Sequence, residues 1–211
     1  MVQVAAEKPK KRKGIIIWDF DRVLFNTEKY FQDNAQVFRT YNIPEDALRH
    51  AVDNINNSDA TFSTAALCRE LKKMGLYCPV SRARRTVNQS LSRYRYIDAA
   101  ADQLLHRLKR RGFIHFLLSF GNGAYQGKKI KIAGGKTLRH FEKLIVTGKP
   151  KHVFIKRIAR RYFDLPIFFI DDTRSHIELV QKYIPRVCTI HYSGRLSLRD
   201  VERTILNRHA D

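Results

Sequence analysis

The chain has 211 residues, 44% of them hydrophobic, which suits one ordinary domain with a modest insertion and excludes a disordered polymer. No apolar stretch approaches bilayer-spanning length and the first residues lack a signal-peptide apolar core, so a soluble, cytoplasmic protein is expected. Lys and Arg exceed the acids by 40 to 20, a net charge of +20 that attracts phosphate, nucleic acid or anionic surfaces, while three scattered cysteines argue against a disulfide framework.

Residues 1–13 read as a basic tail, with "KPKKRK" at 8–13 also fitting a nuclear address. From Gly14 an unbroken apolar run, Ile15 to Trp18, predicts a parallel strand covered on both faces. The next 90 residues or so contain no convincing strand and read as helices. Asn26 or Thr27 caps a segment carrying Phe31, Ala35 and Phe38 on one face, and Pro44 opens another with Leu48, Ala51 and Ile55. Ser63 precedes Leu67, Leu71 and Met74, stopped by Gly75; Ser81 starts a segment with Val87, Leu91 and Tyr94; and Asp98 to Arg111 leads back to the sheet. Four more apolar runs follow, "FIHFLLSF" (113–120), "KLIVTG" (143–148), "PIFFIDD" (166–172) and "RVCTIHYS" (186–193), separated by helical patterns. Strand alternating with helix predicts an α/β fold: a Rossmann-like three-layer core with a mostly parallel five-stranded sheet and an all-helical insertion after strand 1. The expected organisation is a tail (1–13), a core (14–25 and 98–211) and a helical insertion (26–97).

Ligands of an open parallel sheet sit outside the carboxyl ends of its strands, so the last residues of each run are the informative ones. They are Asp19-Phe20-Asp21, Ser119, Thr147-Gly148-Lys149 and Asp171-Asp172. Side chains two apart on a strand share a face, which gives Asp19 and Asp21 one common space. Against a phosphate ester, one carboxylate can attack phosphorus while the other protonates the leaving oxygen and later activates water. A neighbouring like charge is expected to raise the Asp21 pKa for that acid role. Asp19, Asp171 and Asp172 offer Mg²⁺ an all-oxygen set. Ser119 and the backbone N–H groups of Phe20, Phe120 and Gly121 are placed to hold phosphoryl oxygens, and Lys149 to offset the gathered charge.

"WDFDRVLFNT" resembles the first motif of the haloacid-dehalogenase-like phosphatase superfamily, D-x-D-x-[T/V], through Asp19, Asp21 and Val23. "FLLSFGN", "VTGKPKHVFIKRI" and "FFIDDTRSHI" are similar to its second, third and fourth motifs, in order, and the resemblance spans about Gly14 to His191. It implies Asp19 as nucleophile and Asp21 as acid/base. Asp19, Asp171, Asp172 and the backbone carbonyl of Asp21 are then the ligands of Mg²⁺, and the insertion is a C1-type cap that selects substrates. Arg22 replaces a common glycine, His176 stands where an optional acid would fall, and the motif lysine is Lys149, with Lys151 as the alternative.

The expected activity is that of a Mg²⁺-dependent phosphomonoesterase on a small anionic phosphorylated substrate, such as a nucleotide or sugar phosphate. The alternative is a basic nucleic-acid-binding protein with a secondary or idle site, including a nucleic-acid end phosphatase. In the insertion, Arg84, Arg85, Arg93 and Arg95 favour substrates with further charge if they face the cleft, which periodicity leaves open. "AGGKT" (133–137) matches only the end of a phosphate-binding loop, with Ile130 where its first glycine belongs, and reads as a helix C-terminus.

Overall fold

The structure is a computed structural model, and it describes residues 12–58, 61–194 and 196–210. The expected basic tail lies outside these residues except for Arg12 and Lys13. Five strands, β1 (Gly14–Trp18), β2 (Phe113–Phe120), β3 (Phe141–Thr147), β4 (Ile167–Asp171) and β5 (Cys188–His191), form one parallel sheet in the order β3-β2-β1-β4-β5. Alternate residues of the central strand feed two apolar layers. Ile16 and Trp18 join one cluster, Ile15 and Ile17 the other, as a strand buried on both faces requires. The second layer is closed by α7 (Lys151–Arg161) and α8 (Arg174–Tyr183) through Ile155, Ile158, Ile177 and Val180. The first is closed by α5 (Ala99–Arg110), α6 (Gly123–Gly134) and α9 (Leu198–Ala210). The result is the expected three-layer α/β arrangement.

Between β1 and α5 run α1 (Thr27–Arg39), α2 (Glu45–Asn56), α3 (Thr64–Lys73) and α4 (Val80–Arg93). Asn26 and Ser63 cap their helices through side-chain oxygens, whereas Pro44 and Pro79 occupy the position just before the first helical residue. The chain leaves and re-enters the core side by side. Phe25 bridges to Ile97, and Asn26 N–H donates to the Tyr96 carbonyl at 2.8 Å. Phe38, Leu48, Leu67 and Leu91 of this segment share a single apolar cluster with Trp18 and Leu117 of the sheet. Gly135, at φ +46°, ends α6, so "AGGKT" is a helix terminus followed by a short 3-10 helix (Gly135–His140).

After β1 the chain fills β2 and β3 on one side, then crosses to β4 and β5 on the other. The crevice between the carboxyl ends of β1 and β4 is therefore the switch point where open α/β sheets receive ligands. Register sets what meets there. Trp18 pairs with Leu117 and with Ile170, so Asp19, Ser119 and Asp171 emerge along one edge.

Candidate active site

Asp19 and Asp171 follow Trp18 and Ile170 directly and are both buried, at 5% and 0% exposure. Two buried carboxylates need compensating charge. Lys151 supplies it, its Nζ lying 2.7 Å from Asp19 Oδ1 and 2.7 Å from Asp171 Oδ2. Asp172 is partly exposed and meets the Arg22 guanidinium at 3.3 Å. Asp171 also accepts from Thr173 N–H at 2.8 Å, and its Oδ2 contacts His176 Nδ1 at 3.2 Å.

The expected lysine is corrected here. Lys149 is exposed in a turn where its N–H donates to Thr147 Oγ1 at 2.8 Å. Pro150 precedes the first helical residue of α7, and that residue, Lys151, turns back onto the carboxylates with 2% exposure. The Gly121 N–H is also unavailable for a phosphoryl oxygen, because it donates to the Thr147 carbonyl at 2.9 Å.

Asp21 has a second set of partners. It accepts from Thr27 Oγ1 at 3.0 Å, from Gln126 Nε2 and from the Lys129 ammonium, while Gln126 Nε2 also reaches Ser119 Oγ at 2.7 Å. Lys129 is 5% exposed and lies over the rings of Phe25 (4.3 Å), Tyr30 (5.4 Å) and Phe20 (5.7 Å), so an aromatic cage and one carboxylate hold its charge. Neither Gln126 nor Lys129 was among the residues expected from sequence. The available signal was Asn122, directly after β2, which accepts from Tyr125 N–H at 3.0 Å and starts α6 at the carboxyl edge. Gln126 and Lys129, three apart, then share the face turned to the site.

These neighbours divide the two aspartates of the first motif. Burial pushes the Asp19 carboxyl up to about 7, with Lys151 pulling against it and Asp171 adding to it. Burial also acts to raise Asp21, but the Lys129 charge and the hydrogen bonds from Lys129, Gln126 and Thr27 outweigh it, leaving Asp21 below the usual carboxylate value. The expected elevation of Asp21 is thus reversed, because a cation rather than Asp19 is its immediate neighbour. Lys151 loses from burial yet is held above its ordinary value by Asp19 and Asp171.

Asp19, Asp171 and Asp172 each offer a carboxylate oxygen within 4.8 Å of the others, an all-oxygen set that fits a hard divalent cation such as Mg²⁺. The Asp21 carboxylate is not in that group, its oxygens being turned to Lys129, Gln126 and Thr27. A cavity of about 770 Å³ runs from these carboxylates between the sheet edge and the inserted helices. Arg84, Arg85, Arg93 and Arg95 are exposed and none of them lines it.

No protein-family model matches the sequence, and no curated protein matches it either. Solved structures do share its architecture. A haloacid dehalogenase-like hydrolase from Burkholderia xenovorans superposes with a TM-score of 0.66 at 16% identity, over 90% of this chain and 86% of that one. The magnesium-bound HAD-hydrolase YfnB of Bacillus subtilis gives 0.61 at 14% identity over 92% and 99% of the two chains. L-2-haloacid dehalogenase from Xanthobacter autotrophicus, with chloropropionic acid covalently bound, gives 0.61 at 16% identity over 92% and 83%. What is shared at such low identity is the course of the backbone: the chain has the fold of the haloacid-dehalogenase (HAD) superfamily hydrolases.

Proposed function

We propose that the protein is a Mg²⁺-dependent phosphomonoesterase in which Asp19 is the nucleophile. The observation that carries this reading is the placement of Asp19 at the switch point, bound to Lys151 and within reach of Asp171 and Asp172. Asp19, Asp171 and Asp172 would hold the cation, which when bound supplies charge against the phosphoryl oxygens. An Asp19 oxygen forms a bond to phosphorus as the ester oxygen leaves, giving an aspartyl-phosphate, and water then breaks the new P–O bond. Lys151 fixes the attacking carboxylate and meets charge on the transferring group. Asp21 would give a proton to the leaving ester oxygen and take one back from the attacking water, against the pull of the three donors that favour its ionised form. Lys129, beside it, faces charge building on the leaving oxygen. The helical segment 26–97 serves as a cap over the cavity.

The test is phosphate release from a panel of phosphate esters with and without Mg²⁺, using Asp19→Asn as the blank. Metal-dependent release that the variant lacks supports the reading. Chloride release from 2-chloropropionate without phosphate release would replace it with dehalogenation.

The net charge of +20 favours a second reading, in which the protein binds nucleic acid and acts on its phosphorylated ends. Titration of single-stranded and duplex oligonucleotides at two salt concentrations tests it, with steeply salt-weakened binding expected and no binding at low salt contradicting it. Among the described residues no helix is long and apolar enough to cross a membrane.

A further inference from the structure

Cations that line the cavity decide how many anionic groups a ligand can bring into it. Among the described residues these are Arg22, Lys129 and Lys151. Each is already joined to a carboxylate of the site: Arg22 to Asp172, Lys129 to Asp21, and Lys151 to Asp19 and Asp171. The buried Lys129 and Lys151 are committed to the reacting centre, which leaves only Arg22, exposed at the mouth, to meet a second anionic group. Arg85, Arg93 and Arg95 are exposed and do not line the cavity, Arg84 lines a neighbouring one that shares Val87 and Tyr125 with it, and Asp53, an acid on the inserted helices, repels a further anion.

The wall opposite the carboxylates has a different chemistry. Phe31, Phe38, Leu48 and Val52 come from α1 and α2, and Phe62 and Leu67 from the start of α3 and the turn before it. Phe62 also packs on Tyr125 of α6 with ring centroids 5.0 Å apart, so the apolar surface continues to the core side. A sugar phosphate or nucleotide would place hydroxyls or charges against this apolar wall and lose hydration there, although Asn34, Asn56, Ser58, Thr61 and Asn122 also line the cavity. A flat apolar group would instead bury area there, in a cavity whose 770 Å³ is typical of small-molecule sites.

We infer that the substrate carries one anionic group, the one that reacts, and that the remainder is an uncharged aromatic or otherwise apolar moiety seated against Phe31, Phe38, Phe62 and Leu67. This rests on the phosphatase reading for the identity of the reacting group and replaces the expectation of a polyanionic substrate. The cap then selects chiefly by apolar contact.

Equilibrium dialysis of the Asp19→Asn protein with 2-naphthyl phosphate, ribose 5-phosphate and the phosphate-free 2-naphthol tests the inference. The naphthyl ester is expected to bind about tenfold or more tighter than the sugar phosphate, and 2-naphthol to bind and be displaced by the ester. Phe62→Ala, added to the same protein, should weaken both naphthyl ligands about tenfold and leave ribose 5-phosphate unchanged. Equal or tighter binding of ribose 5-phosphate overturns the inference, as does absence of 2-naphthol binding. The preference between the two esters decides the matter even where Phe62→Ala does not fold. Binding of 2-naphthol without hydrolysis of any phosphate ester by the wild type would remove the phosphatase reading and leave the apolar pocket standing. Hydrolysis with a preference for sugar phosphates would do the reverse.

Discussion

Lys151 occupies the first position of α7, where the helix dipole disfavours a cation, and it is buried there because Asp19 and Asp171 each sit 2.7 Å away. Truncation to Lys151→Met leaves two buried carboxylates facing each other without their shared cation. Turnover of an aryl phosphate should fall by about a hundredfold to a thousandfold. Lys149→Met changes only an exposed side chain, and its rate should stay within about twofold of wild type. The reverse ranking, measured as kcat on one substrate, would restore Lys149 to the site. The acids themselves were legible in the sequence because each directly follows an apolar strand. The choice between two lysines flanking a proline was not, since it depends on which residue begins the helix. Arg22 illustrates the same limit. It takes φ +58°, the left-handed region that favours glycine, and its ion pair with Asp172 places charge at the mouth of the site, one of the two consequences, with crowding of the loop, that its departure from the motif leaves open in the sequence.

The central element β1 is fastened to its neighbours by more than the sheet ladder. Trp18 Nε1–H donates to His115 Nδ1 at 3.0 Å, and His115 Nε2 meets the Leu105 carbonyl at 3.0 Å, so the ring is neutral with its proton on Nε2. Burial pushes His115 down to about 3 from an ordinary 6.5. The unfolded chain therefore takes up a proton below about 6.5 that the folded chain refuses until about 3. This contribution is complete above pH 6.5 and is lost as the pH falls toward 3. Between pH 7 and 5 it amounts to about 2 kcal/mol. Urea unfolding at the two pH values should show the wild type losing about that much more than His115→Gln; equal losses would mean that His115 is not held neutral. Reading His115 as core rather than ligand was possible from its place inside an apolar run. Among helices, α1, α3 and α5 were legible through their caps Asn26, Ser63 and Asp98, and α4 to within a residue. The inward face of α6 was hidden because it presents Gln126 and Lys129, polar residues that a search for apolar spacing passes over.

At the scale of the whole molecule, the sheet order creates the crevice and the insertion closes it. Both features follow from sequence: five apolar runs, a long helical gap after the first, and carboxylates at the strand ends. What charge counting could not give was its distribution. The buried cations of the cavity, Lys129 and Lys151, are paired with the site's own carboxylates, and Arg84, Arg85, Arg93 and Arg95 do not line it, so the net charge of +20 does not describe the cavity. The account stands or falls on covalent chemistry at one atom group, the Asp19 carboxylate. The direct measurement is acid quenching during Mg²⁺-dependent turnover of an aryl phosphate, followed by borohydride reduction and peptide mass spectrometry. The account predicts a trapped acyl phosphate reduced to homoserine at position 19, absent without substrate and absent in Asp19→Asn. Phosphate release that proceeds with position 19 unmodified, or with the label on another residue, would contradict it.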